Sequence, residues 1–199
     1  MKVKLIYSTP LYVASKAIRT CWASQDKSDS QDNMIGDKDK ELIHRVGNKL
    51  KHESVKNHVQ YCFEIEGIST KTLLALTRHD VGVEFSVQST RYTTKKAVGN
   101  GSAGYTKSKS EVVNKYLHEL SNMISNCVEM NIGNDEISML LPQAWKYNLV
   151  ATFSMQALQH FLHLRTSKDA HWDIRELAYK LFEQIPSEHE YLFVEYIQS

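Results

Sequence analysis

Between Val59 and Glu66 the chain alternates strictly, with Val59, Tyr61, Phe63 and Ile65 interleaved by Gln60, Cys62, Glu64 and Glu66. Successive side chains of a strand point to opposite faces, so this period of two predicts a strand with one buried face. Val3 to Tyr7 reads as a shorter strand, and Tyr147 to Phe153 as another. Helical spacing dominates elsewhere. Pro10 can open a helix that runs to about Trp22, and Asp37 or Asp39 caps one through Leu42, Val46 and Leu50. Ser69 is a natural N-cap for a helix running into Arg78. Val113, Leu117, Leu120, Ile124 and Cys127 recur at three and four residues, which predicts a long helix ending at Asn131 to Asn134. Leu140-Leu141-Pro142 closes a short helical turn. Ile174, Leu177, Leu181 and Ile185 form a last stripe, broken by Pro186. Polar runs over 24–36 and 93–108 read as loops, the second long enough to suggest a role in function. With no internal repeat and no linker, residues 1–199 read as one α+β domain.

The balance of 24 basic against 23 acidic residues gives a formal net charge of +1. Bulk nucleic-acid binding rests on clustered cations, so a small anionic ligand held by a few arginines is expected instead. Cys21, Cys62 and Cys127 are widely spaced, with no C-x-x-C and no zinc spacing, which points to a reduced cytoplasmic setting. No stretch approaches the ~18 apolar residues needed to span a bilayer, and the N-terminus is too interrupted for a signal peptide.

Chemistry concentrates in the segment from Thr77 to Tyr92, which packs Arg78, His79, Ser86, Ser89, Arg91 and Tyr92 into sixteen residues. Arginine forks with interposed hydroxyls suit a phosphate, whose oxygens accept two parallel N–H bonds. A second polar cluster, His52 to His58, precedes the alternating strand. Its histidines are six apart and share no helical face. A third runs from Ser154 to Arg165, where His160 and His163 do share a face but lack a carboxylate or cysteine at ligand spacing. No metal is expected at either.

These segments carry a resemblance. Arg78-His79, followed by Ser89-Thr90-Arg91-Tyr92, resembles the Arg-His-Arg, seven residues, Ser-x-Arg-Tyr signature of the flavin-dependent thymidylate synthases. His52, Ser54 and His58 match that family's His-x-Ser/Thr-x-x-Glu-His. Leu158, Phe161, Leu162, Leu164 and Arg165 match its Asn-Ala-Arg-Ser-Leu-x-Asn-Phe-Leu-x-Leu-Arg. Arg19-Thr20-Cys21-Trp22 with Ser24, then Lys38 to Ile43, resembles the N-terminal helix and loop of one branch, and Glu188 to Phe193 its C-terminus. The segments agree in order over essentially the whole chain, which is identified as a member.

The resemblance implies a central, mostly antiparallel sheet flanked by helices, in a homotetramer whose sites form where subunits meet. It implies dUMP as substrate, methylenetetrahydrofolate as carbon donor, and FAD reduced by NADPH. Ser89 and Arg165 are the implied catalytic residues. Arg78, Ser89, Thr90, Arg91 and Arg165 are the implied nucleotide contacts. Ser24, His52, Ser54, His58 and His79 fall on the implied cofactor side. No cysteine nucleophile is used in this family.

The flavin side departs from the pattern. Asp80 stands where the third basic residue of Arg-His-Arg belongs, and eight residues rather than seven separate it from Ser89. Asn57 replaces Glu, Ser154 replaces Asn, Gln156 replaces Arg and His160 replaces Asn. An anion in place of a cation reverses a Coulomb term of about 1 kcal/mol at 4 Å in water and ~4 kcal/mol at a partly buried site. Three readings stay open: a thymidylate synthase with an altered flavin pocket, a pyrimidine C5-hydroxymethylase or other C5-modifying enzyme with little or no use of FAD, and a non-catalytic nucleotide-binding partner subunit.

Overall fold

The computed structural model describes residues 1–31, 34–99, 101 and 104–198. Strands β1 (Lys2–Ser8), β2 (Gln60–Ser69), β3 (Val83–Val87) and β4 (Lys146–Ser154) pair in the antiparallel order β1-β2-β4-β3. Around them run α1 (Tyr12–Cys21), α2 (Asp37–Ile43), α3 (Thr70–Leu76), α4 (Thr90–Gly99), α5 (Glu111–Glu129), α6 (Asn134–Ser138), α7 (Met155–Arg165) and α8 (Trp172–Phe182). The α+β class is the one the patterning predicts. Val59, Tyr61, Phe63 and Ile65 are all fully buried, and Cys62 on the alternate face is buried as well.

The chain divides into two compact units. The first comprises Met1–Lys2, Ile65–Arg78 and Ser86–Val150. Ile124, Ile137 and Trp145 form a core here, with Leu120, Cys127 and Tyr147 against it. The α5 stripe is buried at Leu117 and Ile124, whereas Val113 stays 45% exposed. Ser69 caps α3 as predicted, its Oγ accepting the Thr72 N–H at 3.0 Å, but the helix ends at Leu76 rather than Arg78.

The larger correction concerns 93–108. Residues Thr93 to Gly99 are not loop but the body of α4, despite a composition poor in apolar residues. Thr93 and Thr94 turn their hydroxyls back onto the carbonyls of Ser89 and Thr90, at 2.8 and 2.7 Å. Asn134 adds a bridge, donating Nδ2 to the Arg91 carbonyl and accepting the Lys95 N–H. Side-chain hydrogen bonds thus supply what periodicity does not. Asn100, Ser102 and Ala103 of that run, and Asp32 and Asn33 of the 24–36 run, lie outside the described residues.

The second unit comprises Val3–Glu64, His79–Phe85 and Ala151–Ser199. Phe153 meets Phe63, Phe85 and Phe161 at ring-centroid distances of 6.1, 6.5 and 5.8 Å, the spacing at which aromatic rings pack edge to face. Ile174, Leu177, Leu181 and Ile185 are buried as the stripe predicts. The cap of α2 is not Asp37 or Asp39. Asp29, from the preceding loop, accepts the N–H groups of Lys38 and Asp39 at 2.9 and 3.1 Å. Asp39 is fully buried and binds Arg19 instead, with Ser28 and Ser30 donating to its other oxygen. The helix then widens into a π-helical turn, His44–Lys49. Close by lies a buried polar cluster. Lys56 Nζ reaches Glu53 at 2.7 Å and Gln159 Oε1 at 2.8 Å, while the Gln159 amide donates to Asn48 and to the Leu192 carbonyl.

Candidate active site

The first unit positions the predicted phosphate residues. β3 leaves the sheet at Val87, and after Gln88-Ser89 the chain turns into α4 at Thr90. A strand-to-helix turn of this kind aims unpaired N–H groups of a helix start outward, where an anion can meet them. The Ser89 carbonyl anchors the turn by accepting the N–H groups of Tyr92 and Thr93, at 3.3 and 3.2 Å. Arg91 presents its fork to Asp135, Nε at 2.8 Å and Nη2 at 3.2 Å, with both side chains well exposed. The hydrogen bond from Arg91, followed by its charge, holds the Asp135 carboxyl below the ordinary range against the opposing effect of desolvation. The same fork-on-two-oxygens geometry suits a phosphate. Arg78 is exposed in the turn after α3. Asp135 was not foreseeable from the sequence, because nothing in Asn134-Asp135-Glu136 marks it as the partner of a residue 44 positions away.

The second unit joins His79 to Arg165. Arg165, at the end of α7, donates its Nε–H to His79 Nε2 at 3.0 Å. Acceptance at Nε2 leaves the ring proton on Nδ1. The half-buried imidazole packs against Phe161 and His160, with centroids at 5.0 and 5.9 Å. Burial, then the charges of Arg165 and His160, bring the His79 pKa down to about 4, with Asp80 pulling weakly the other way. At neutral pH His79 is therefore an uncharged acceptor.

Four of the five departures converge. Asn57, Ser154, Gln156 and His160 line one cavity of about 410 Å³, together with Gln60 and the Val81-Gly82 turn. Ser154 caps α7, accepting the Ala157 N–H at 3.2 Å, and donates its own N–H to the Gly82 carbonyl at 2.8 Å. Gly82 has φ +73°, and a Cβ there would stand 2.7 Å from Ser154 Oγ. The lengthened loop and the Asn-to-Ser change are thus one packed unit. Gln156 and His160 also line a neighbouring cavity of about 450 Å³, which Lys51 and the buried Lys56 share with Glu53 and Glu195.

The remaining predicted residues are peripheral to this pair. Ser24 follows α1, and its carbonyl accepts an Arg19 Nη1–H at 3.3 Å. His52 precedes the 3-10 turn Glu53–His58, which His58 ends. They and Ser54 are exposed, while Val55 and Lys56 of the same turn face inward. No sequence signal singled out Lys56 or Gln159.

Comparison with known proteins bears on these residues as a set. Residues 4–189 match the family described as thymidylate synthase complementing protein. The flavin-dependent thymidylate synthase of Wolinella succinogenes is 42% identical over 203 residues, covering 97% of each chain. That of Helicobacter pylori is 38% identical over 207 residues, again covering 97% of each. A crystal structure of Helicobacter pylori thymidylate synthase X with FAD and dUMP superposes with a TM-score of 0.91, at 35% identity over the full length of both chains. Likeness in sequence and in backbone therefore spans the elements that carry Ser89, Arg91, His79 and Arg165, and the chain belongs to the flavin-dependent thymidylate synthase family.

Proposed function

We propose that residues 1–199 act as one catalytic domain that methylates C5 of dUMP, with methylenetetrahydrofolate as carbon donor and FAD reduced by NADPH. The Ser89-Thr90-Arg91 turn supports this reading most directly, because it offers an outward arginine fork beside a helix start, and the relative that superposes over its full length was crystallised with dUMP. In this reading Thr90 and Arg91 wrap the nucleotide phosphate, Ser89 lies by the pyrimidine ring, and Arg78 and Arg165 help hold the nucleotide. The site is completed by neighbouring copies in a cytoplasmic homotetramer.

The residues present fit a flavin, in a changed way. Asn57 and Gln156 bring amide groups, and His160 an imidazole, to the 410 Å³ cavity, and these can pair with the carbonyl and N–H edge of a ring system. Next door, Lys51 and Lys56 share the second cavity with Glu53 and Glu195, so a pyrophosphate there would compete with Glu53 for the Lys56 ammonium. His52, Ser54 and His58 add exposed polar groups on the same unit, and Ser24 a half-buried one. When bound, the reduced flavin supplies the hydride that turns a one-carbon bridge into a methyl group. The chain's own residues orient the nucleotide and neutralise its phosphate.

The test is to add FAD and dUMP separately and together to the pure protein, then assay turnover with methylenetetrahydrofolate and NADPH. A flavin absorbance band and a dTMP product by mass spectrometry are expected. A colourless protein that binds dUMP and never takes up FAD overturns the reading. A hydroxymethylated nucleotide, the product of a C5-modifying enzyme that stops short of reduction, is separated from dTMP by the same mass spectrum.

A further inference from the structure

We propose that His79 is a positioning residue for Arg165, holding the guanidinium by its Nε–H so that the arginine meets the nucleotide in a single orientation. This rests on the reading of Arg165 as a nucleotide contact, and it moves His79 from the cofactor side of the site to the substrate side.

Three observations carry it. The Arg165 Nε–H points at His79 Nε2 at 3.0 Å, a bond between side chains 86 positions apart. The imidazole is wedged against Phe161, one helical turn before Arg165 on the same face of α7, so its plane is set by the helix that it steadies. The groups around it favour an acceptor. Arg165 and His160 face it from α7, and both disfavour a positive ring, while Asp80, next in the chain, favours it. An arginine side chain loses much rotamer freedom when it is fixed, and setting its plane beforehand spares part of that cost on binding. Protonation of His79 would set an N–H against the Arg165 N–H and release the hold.

The experiment compares wild type, H79Q and H79L. Glutamine can present Oε1 where Nε2 stood, whereas leucine keeps bulk without an acceptor. Titration calorimetry with dUMP is expected to give an affinity within threefold of wild type for H79Q and about tenfold weaker for H79L. FAD uptake, read by absorbance, should be unchanged in both. Equal dUMP affinity in wild type and H79L overturns the proposal, as does an H79Q as weak as H79L. Nitrogen NMR of the wild-type protein gives a measurement that no misfolded variant can obscure: the His79 ring should carry its proton on Nδ1 at neutral pH, with the Arg165 Nε–H slow to exchange. A proton on Nε2 sinks the idea. Should wild type bind no dUMP, the synthase reading fails, while the NMR result still decides whether His79 holds Arg165.

Discussion

The Gly82 carbonyl accepts the Ser154 N–H at 2.8 Å, and the two residues touch so closely that Gly82 has no room for a side chain. Its φ of +73° already favours glycine, and an added Cβ would meet Ser154 Oγ at 2.7 Å and the Ala157 Cβ at 3.3 Å. G82A should therefore lose about 2–3 kcal/mol, the left-handed backbone and the contact together. Thermal unfolding checks this. S154A, which removes the hydroxyl but also the α7 cap, should cost less in the G82A background than alone. Strict additivity of the two would show that they do not share a contact.

Arg19 and Asp39 form a second coupled pair. Burial pushes the Asp39 carboxyl up, but hydrogen bonds from Ser28, Ser30 and Arg19, with the Arg19 charge, outweigh it and leave the pKa lowered. D39L strands a buried guanidinium and should destabilise by about 3–5 kcal/mol. R19M/D39L removes both charges and should be the more stable of the two. Chemical denaturation of wild type and both variants measures the difference.

His79 gives stability a pH dependence with a definite sign. Its folded pKa of about 4 lies below the ordinary imidazole value near 6.5. Above that value neither folded nor unfolded chain binds the proton, and its contribution is flat. As pH falls from about 6.5 toward 4, the unfolded chain takes up a proton that the folded one refuses, so stability declines; below 4 the contribution levels off. His189, buried and also lowered, adds a decline of the same sign. The slope for H79Q between pH 6.5 and 4 should be shallower than for wild type. Identical slopes would contradict the neutral state assigned to the imidazole.

The Arg91–Asp135 pair makes a prediction about ligand affinity. A phosphate that takes the Arg91 fork has to displace a carboxylate already on it. D135N should therefore tighten dUMP binding a few-fold, and R91A should weaken it by one to two orders of magnitude. Raising the salt concentration should shrink both effects, because the pair is exposed. Calorimetry at two ionic strengths covers all four comparisons.

How much of this the sequence shows depends on what holds each piece. β2 and the helix capped by Ser69 are legible because one-sided burial writes a period and a cap needs a particular residue type. β3 and α4 are not. Only Val83 of β3 is buried, and α4 is tied down by threonine hydroxyls and Asn134 rather than by an apolar stripe. Asp39 looks like a cap because buried and capping carboxylates are the same residue, and only the position of Asp29 distinguishes them. The motif residues could be placed from resemblance, yet the bond between His79 and Arg165, and the gathering of Asn57, Ser154, Gln156 and His160 around one cavity, depend on packing between distant segments that spacing along a chain does not encode.

The sealed ammonium of Lys56 has a bearing on the order in which this protein assembles. Besides Glu53, it binds Gln159, 103 positions away, and Gln159 in turn leans on the carbonyl of Leu192. Until α7 and the segment around Leu192 have docked, that lysine has Glu53 beside it but not its second buried partner, so the closing of this pocket follows the docking of α7. A fragment ending before Leu192 would thus leave the Gln159 amide without that carbonyl, and the segment around Leu192 acts as a latch on residues laid down well before it.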